Sequence, residues 1–574
     1  RSGRGGAIAD TTIALPRGDE PLPSGVTKVG SVSYEKAGEQ VTVGLYLVEF
    51  RLKLGELLDL LAMEEDPAAS MSRSPYLDFE FLGKLDGLSA QWDRRHKPDR
   101  KSTSAVHVFG ATLEQGPVAV RVESGQPGNI FHNDEKPEMF IALKATRACR
   151  VALGWRIHGV DGKTVRRESR GLRFEAAGGE RRVAIPLDTA GPGWYGIELT
   201  VHEDGGREVL RHAAALALLG KDTRRAGYDS PYGTWWFAGA HYGAGDREIA
   251  GPMLFKAGLR KTTFGWSKYS EADLARWKIT LNQLSWRLAP KDLANPQKAC
   301  DEAEKNVREM LARFPHCRSA DIFHESYAHY VPAELRDEKP SEDEQAVRQG
   351  RLRAELGTFA ARFYRERFPD VKLLVGNTSS SASIIASLLR HGFDRKYIDY
   401  IGVEAVGQTG MPEKLWEGST QGIWLAREAG RKFGHDLPVT GCYEFTARTD
   451  RNLGPRRQAE WIARDMLLCH AYGFRHINPA ILHDVGNAYF NTLWGAGGLC
   501  RRNPLLYPKP AYVAVATLTK VLDEVRPPRR VATGSGTVYA LEFERRDGRF
   551  ACALWTARGQ ARLRLRYPRS AEIT

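Results

Sequence analysis

Two glutamates stand near the ends of short apolar segments that lie far apart in the sequence. Glu325 ends the segment ADIFHE, directly after His324, and Glu444 follows Tyr443 in VTGCYEF. Two carboxyl groups held about 5–5.5 Å apart can cleave a glycosidic bond with retention, one protonated to release the leaving group and one ionised to attack the anomeric carbon. An ordinary surface role is the alternative for each glutamate taken alone. The pair, each member beside a His or Tyr, favours catalysis.

Other polar and aromatic side chains occupy the ends of the remaining predicted strands. Aromatic rings form platforms for sugar faces, and amide, imidazole and ammonium groups hydrogen-bond to hydroxyls. The predicted substrate contacts are His241, Trp266, Lys268, Asn282, His324, Tyr327, Asn377, Glu404, Tyr443 and Trp494. Some have structural alternatives: His241 in a packed core, and Glu404 capping a helix or pairing with Lys268. Asn377 also begins an Asn-Thr-Ser glycosylation motif.

These positions depend on a regular alternation of strands and helices. Eight apolar segments have strand character: TWWFAGA, KTTFGW, ITLNQLSW, ADIFHE, VKLLVG, YIGVEA, VTGCYEF and HINPAIL. Helical spacing of apolar residues appears between them at 299–314, 352–363 and 459–469. Eight strand–helix units in roughly 300 residues predict a (β/α)8 barrel over 223–525, with its working residues at the C-terminal strand ends. A doubly wound sheet is the alternative, but AGAHYGAG matches its glycine-rich phosphate turn poorly.

The segments on either side of the barrel have β character. Residues 1–115 predict a jelly-roll-like β domain, and the closely spaced strands of 116–222 predict an immunoglobulin-like β-sandwich. Residues 526–574 predict a small C-terminal β element that packs on the barrel, with N-terminal strands as candidates to complete its sheet. The predicted fold class is therefore multidomain, β plus α/β.

The two glutamates resemble the catalytic pair of the clan A glycoside hydrolases. In that clan the acid/base ends the fourth barrel strand and the nucleophile ends the seventh, the positions of Glu325 and Glu444 here. Trp494 in NTLWGAG resembles the strand-eight tryptophan that lies under the sugar. The resemblance covers about residues 231 to 525 and implies a retaining glycosidase that needs no cofactor. It also implies that Tyr443 or Tyr327 hydrogen-bonds to Glu444 and keeps it ionised, since the two carboxyl groups need different pKa values.

One position departs from the pattern of the clan. Most members carry Asn-Glu at the fourth strand, where the asparagine holds the sugar 2-hydroxyl, and this chain has His324 before Glu325. One branch of the β-mannanases has His-Glu at the same place. The resemblance therefore leaves the sugar unidentified.

The net charge of +13 favours an anionic partner. Because the basic residues are scattered, with no long Lys/Arg block, the alternatives are an acidic polysaccharide substrate and a merely solvated basic surface. A nucleic-acid partner would rest on charge alone, because no recognition motif is present.

The remaining features of the sequence limit its class and location. Seven cysteines without a CxxC pair do not predict a disulfide framework or a zinc ribbon. No apolar run of about 18 residues predicts a membrane span. The sequence begins RSGRGGAIAD, without Met, as expected of a mature secreted or periplasmic chain whose signal peptide has been removed.

Two other functions remain open at this stage. A metal-dependent barrel hydrolase would draw ligands from His241, His324, Glu325, Glu404, His483 and Asp484. Neither a His-x-His in the first strand nor an HExxH motif supports it. A non-catalytic carbohydrate-binding or scaffold protein would fit the β domains and leave the two glutamates unexplained.

Overall fold

The structure is a computed structural model of a chain that divides into two compact units, Arg1–Glu114 and Gln115–Thr574. In the first unit it describes the backbone of four strands. In the second it describes residues 116–132, 134–187, 191–234, 247–262, 270–284, 286, 288, 292, 294–323, 342–376, 381–402, 411–413, 423–437, 453–479, 481–484, 497–501 and 506–564.

The first unit contains two antiparallel strand pairs. Strands β1 (Val26–Lys36) and β2 (Glu39–Val48) form a long hairpin, and β3 (Lys84–Leu85) pairs with β4 (Leu88–Ser89). The predicted jelly-roll-like fold depends mainly on residues outside the described ones and stays a prediction.

A β-sandwich begins the second unit. Its strands are β5 (Val118–Ser124), β6 (Ile130–His132), β7 (Met139–Ala145), β8 (Cys149–Gly159), β9 (Thr164–Phe174), β10 (Glu180–Ile185), β11 (Gly193–Glu203) and β12 (Glu208–Leu219). One sheet has the order β6-β12-β11-β8-β9 and the other β10-β7-β5. Alternate residues such as Leu153, Trp155 and Leu199 are almost fully buried in the core that the two sheets share. The strand pattern predicted for 116–222 is confirmed for β5, β7, β8, β10 and β11.

Parallel strands and helices follow in alternation. The strands are β13 (Gly233–Thr234), β14 (Lys261–Thr262), β15 (Thr280–Leu281), β16 (Ser319–Asp321), β17 (Lys372–Val375) and β18 (Tyr400–Ile401). The helices are α1 (Arg247–Ala257), α2 (Glu271–Trp277), α3 (Pro296–Arg313), α4 (Glu342–Arg367), α5 (Ser381–Arg390), α6 (Ile423–Arg431), α7 (Pro455–Ala471) and α8 (Pro510–Val521). Helices α3, α4 and α7 confirm the three predicted helical periodicities.

The parallel strands pair in chain order. Strands β13-β14-β15 form one ladder and β16-β17-β18 another, and a parallel bridge from Leu284 to Ala320 joins them. A further parallel bridge joins Tyr232, at the start of the first ladder, to Ile477. Seven of the eight predicted strands thus contribute backbone to one continuous parallel array. The seventh, VTGCYEF, lies outside the described residues.

Helix α3 shows why these segments are helical. The Asn295 side chain accepts a hydrogen bond from the Lys298 N–H, and Pro296 occupies the first turn, where its missing N–H costs nothing. Cys300, Ala303 and Val307 then form a buried stripe at helical spacing. This amphipathic stripe fixes the helix against the strands.

A three-stranded antiparallel sheet ends the described chain. It consists of β19 (Arg529–Arg530), β20 (Val538–Glu544) and β21 (Phe550–Thr556). The Trp555 indole N–H donates to Glu413, and the ring of Phe543 packs edge-on against His470 of α7. These contacts place the sheet against the helical layer of the second unit.

Two further expectations concern the described part of the chain. None of its helices is both long and apolar enough to cross a membrane. The six cysteines it includes are free thiols, and Cys442 lies outside the described residues.

A buried lysine joins the sandwich to the first helix. The Lys256 Nζ on α1 donates to Glu135 Oε2 at 2.6 Å, the Ile130 carbonyl at 2.7 Å and Gln126 Oε1 at 2.8 Å. Burial lowers the pKa of Lys256, and the hydrogen bond that its ammonium donates to Glu135 opposes that shift. Three acceptors on the sandwich therefore depend on one ammonium group.

We expect Lys256→Met to lower the free energy of unfolding by about 2 kcal/mol, since it leaves partly buried acceptors without their donor. Urea unfolding followed by tryptophan fluorescence measures the change. Lys305→Met is the control: its side chain is 82% exposed on α3, and we expect a change below about 0.5 kcal/mol. Equal effects of the two variants would contradict a role for Lys256 at this junction.

Candidate site at the strand ends

The carboxyl ends of the parallel strands lie at one edge of the array, because the strands run in the same direction. Asn282 is the predicted site residue that falls within the described part of the chain. The others lie outside it, and their positions stay predictions: His241, Trp266, Lys268, His324, Glu325, Tyr327, Asn377, Glu404, Tyr443, Glu444 and Trp494.

Tyr232 shows which side of the array faces the helices. Its hydroxyl lies 2.6 Å from Nε2 of His470 on α7. Burial lowers the pKa of His470 to about 4, so the neutral imidazole can accept this hydrogen bond. Because successive strand residues point to opposite sides, the next residue, Gly233, faces away from the helices.

Polar residues gather on that inner side. A Cβ atom on Gly233 would lie 2.4 Å from Asn478 Oδ1 and 3.0 Å from Lys261 Cβ, so both side chains share its side of the array. Thr280 pairs with Lys261 in the ladder and therefore faces the same way. The glycine leaves the room that the Asn478 amide occupies.

Asn282 continues this inner surface at the end of β15. It lies two residues beyond Thr280, and its side chain is almost fully buried. Neither its amide nitrogen nor its amide oxygen has a hydrogen-bond partner within the described part of the structure, and the same holds for Asn478. A buried polar group left unpaired costs about 1–3 kcal/mol. Two complete amides in this state mark the inner side as a place for a polar ligand or for water.

The sequence interpretation missed Asn478 and Thr280 as members of this surface. Both are polar residues inside apolar strand segments, which is the signal that could have drawn attention to them. Their direction could not be read from the segments, because a shift of one residue in register moves a side chain to the other side.

On the opposite side of the array, Gln283 and Asp321 have hydrogen-bond partners. Gln283 Nε2 donates to Asp321 Oδ2 at 3.3 Å, and Asp321 Oδ1 accepts the Phe323 N–H at 3.0 Å. Phe323 packs edge-on against Phe393 on the same side. The buried Asp321 carboxylate thus holds the backbone just before His324 and Glu325.

The last parallel segment ends in a buried ion pair. Asp484 Oδ1 accepts from Lys509 Nζ at 2.7 Å and from the Gly498 N–H at 2.9 Å, and both charged side chains are almost inaccessible. Burial lowers the pKa of the adjacent His483, whose Nδ1 contacts the Asp484 carbonyl at 2.8 Å. These contacts give Asp484 a structural role.

The metal-ligand set considered from the sequence is only partly testable. His483 and Asp484 belong to the described residues, and the other four candidates do not. Within the described residues, no group of three or more His, Cys, Asp or Glu side chains could hold a metal ion.

Comparisons with known proteins give distant structural similarity alone. No protein-family model and no curated protein matches the chain. Among solved structures, a Bacteroides uniformis β-glucuronidase bound covalently to cyclophellitol-6-carboxylate aziridine is 12% identical, with a TM-score of 0.31 and coverage of 78% of this chain and 58% of that one. A putative β-galactosidase from Bacteroides fragilis is 10% identical, with a TM-score of 0.28 and coverage of 77% and 73%. A Bifidobacterium dentium β-glucuronidase complexed with coumarin-3-O-glucuronide is 14% identical, with a TM-score of 0.29 and coverage of 70% and 66%.

These similarities cover only part of the solved structures and have low TM-scores. This chain spans 58% of the length of the Bacteroides uniformis enzyme. TM-scores of this size do not establish a shared fold.

The buried ion pair yields a stability prediction. We expect Lys509→Met to lower the free energy of unfolding by about 3 kcal/mol, because it leaves the Asp484 carboxylate buried without its cation. Asp484→Asn combined with Lys509→Met removes both charges and keeps an acceptor for the Gly498 N–H. We expect the double variant to recover at least half of the loss in urea unfolding. Equal stability of the single and double variants would show that the charge of Asp484 does not depend on Lys509.

Proposed function

We propose that the chain is a retaining glycoside hydrolase in which Glu325 is the acid/base and Glu444 the nucleophile. Asn282 carries the proposal: its unpaired amide lies on the inner side of a parallel array, at the edge where the strand ends converge. Glu325 follows the end of β16 by four residues in the sequence, and the proposal places it at the same edge. Glu444 belongs to the segment that would fill the gap between β18 and Ile477 and close a (β/α)8 barrel.

The proposed organisation keeps the predicted boundaries. The barrel spans 223–525, the immunoglobulin-like sandwich 116–222, the jelly-roll-like domain 1–115 and the C-terminal β element 526–574. We further propose secretion or export to the periplasm, which detection of the native protein in cell fractions would test.

The proposed reaction has two steps and uses no cofactor. Glu325 gives its proton to the glycosidic oxygen while Glu444 attacks the anomeric carbon, so the leaving group departs and a glycosyl ester forms. Glu325, now ionised, takes a proton from water, and that water attacks the anomeric carbon and releases Glu444. Two inversions at one carbon give net retention. Asn282 would hydrogen-bond to a sugar hydroxyl during both steps.

The substrate class follows from the charge of the chain. A net charge of +13 favours an acidic glycan, with carboxylate or sulfate groups, over a neutral one. A panel of neutral and acidic polysaccharides, scored by the release of reducing ends, tests this preference directly.

We expect Glu325→Gln and Glu444→Gln each to reduce kcat on the best substrate of that panel by about a thousandfold or more. Glu302→Gln is the control, because Glu302 is an exposed residue of α3 with a 68% exposed side chain, and its kcat should not change. The product should have the anomeric configuration of the substrate by NMR. Activity of both variants at the wild-type level would exclude this pair, and binding of glycans without cleavage by wild type would favour a carbohydrate-binding function.

Asn282 allows a test that separates binding from folding. We expect Asn282→Ala to lower kcat/KM about tenfold to a hundredfold, the loss of one or two hydrogen bonds to the substrate, with no loss of stability. Its amide forms no hydrogen bond within the described structure that folding could lose.

Asn295→Ala is the matched control for this variant. Asn295 caps α3, so its loss should cost about 1 kcal/mol of stability and leave kcat/KM unchanged. Kinetics and urea unfolding of the two variants should therefore give opposite patterns. A fall in stability for Asn282→Ala with normal kinetics would assign it to the fold alone.

A further inference from the structure

The outer face of the five-stranded sheet carries an unusual arrangement of arginines. Along β8, the residues Val151, Leu153, Trp155 and Ile157 point into the sandwich core, so the alternate residues point outward. On β9 the outward residues are those that pair with them in the antiparallel ladder. We call this surface the arginine face: Arg150, Ala152, Gly154 and Arg156 on β8, with Arg167, Ser169, Gly171 and Arg173 on β9.

Like charges stand directly opposite one another on this face. Arg150 pairs with Arg173 and Arg156 pairs with Arg167. Like charges at directly opposite positions destabilise a sheet. The face contains two such pairs, at the two ends of the same stretch of ladder.

Two of the four arginines have acidic partners. Arg156 donates to both carboxylate oxygens of Glu198, at 3.1 and 2.8 Å, and Arg173 Nε lies 2.8 Å from Glu175. Arg150 and Arg167 are exposed, and neither guanidinium group forms a hydrogen bond or ion pair within the described structure. One unneutralised guanidinium therefore remains at each end of the face.

The floor between the two arginine pairs consists of small residues. It includes Gly171, which does not have a positive φ, and a Cβ added there would meet no atom within 4 Å. Neither backbone conformation nor internal packing requires glycine at this position. Glycine weakens a strand, and in a strand it often marks a place where a ligand approaches the backbone closely.

We propose that the arginine face binds an acidic polysaccharide through its carboxylate groups. The planar donors of arginine match a carboxylate, and the small residues let the chain of the ligand lie against the strands. Six residues along β8 span about 20 Å, so the two arginine pairs would hold several sugar units. The choice of a glycan over another polyanion rests on the function proposed above.

A charged edge strand is the simplest competing explanation. Edge strands often carry charged residues that prevent pairing with other chains, and β9 is an edge strand. That explanation does not account for the unneutralised Arg150, which lies on the interior strand β8, nor for Gly171. A ligand accounts for both.

The test uses the full-length Glu444→Gln protein, so that binding is measured without the proposed cleavage. Affinity electrophoresis in gels that contain polygalacturonate gives the dissociation constant, with dextran as the neutral comparison. We expect Arg150→Gln with Arg167→Gln to weaken binding at least tenfold. The control, Arg121→Gln with Arg181→Gln, removes two exposed charges from the other sheet and should change binding less than twofold.

The variant Gly171→Val tests the contribution of the small-residue floor to binding separately from that of the arginine charges. Valine favours strand structure, so the unfolding temperature should stay the same or rise, while its side chain occupies the floor and weakens binding at least fivefold. The proposal would be overturned if this variant bound as well as its parent, or if the two double variants lost binding equally. It would also be overturned if the protein did not bind polygalacturonate, or if it bound single-stranded DNA more tightly. None of these outcomes bears on glycan cleavage. The comparison of wild type with the Glu325→Gln and Glu444→Gln variants tests cleavage separately.

Discussion

The parallel array of the second unit depends on hydrogen bonds between strands that pair in the order in which they occur along the chain. Each strand is only two to four residues long, and it is held by its neighbours rather than by its own length. Parallel strands cannot be joined by tight turns, so a helix or a longer crossover must follow each one. Those helices cover one side of the array, and every strand delivers its carboxyl end to the same edge.

This arrangement gives the two sides of the array different polar chemistry. On the helix side, Tyr232 is hydrogen-bonded to His470 and Gln283 to Asp321. On the inner side, the amides of Asn282 and Asn478 have no partner within the described structure. Unpaired amides in a protein interior carry a free-energy cost. A ligand or water that completes their hydrogen bonds removes that cost. The contrast therefore supports the proposed site on the inner side without reference to any glutamate.

The sequence predicted the elements whose pattern reflects their own burial. Helix α3 has a cap, a proline and an apolar stripe, and all three signals agree. Strand β12 was missed because its alanines and leucines suit a helix, and because Ala217 packs toward the helical layer while Leu216 packs into the sandwich, so both sides are apolar. Strand β9 was missed for the opposite reason: its arginines and serine lie on an exposed edge and give no apolar alternation. At the candidate site, position along a strand identified Asn282, but the partners of its neighbours arise from tertiary contacts that the sequence does not encode locally.

One sheet of the sandwich packs against the parallel array, which bears on how two glycan contacts would act together. Strand β12 contributes Ala217 and Leu219 to the core of the array, and the Trp194 indole N–H on β11 donates to the Pro508 carbonyl at 2.7 Å. The same sheet continues through β8 to β9, which carry the arginine face. Strands lie about 4.8 Å apart, so only a few strand widths separate the packed part of the sheet from the arginines. A polysaccharide held on a surface attached this rigidly would raise the effective concentration of its neighbouring sugars at the strand ends, and a long acidic chain would gain more from this than a short one.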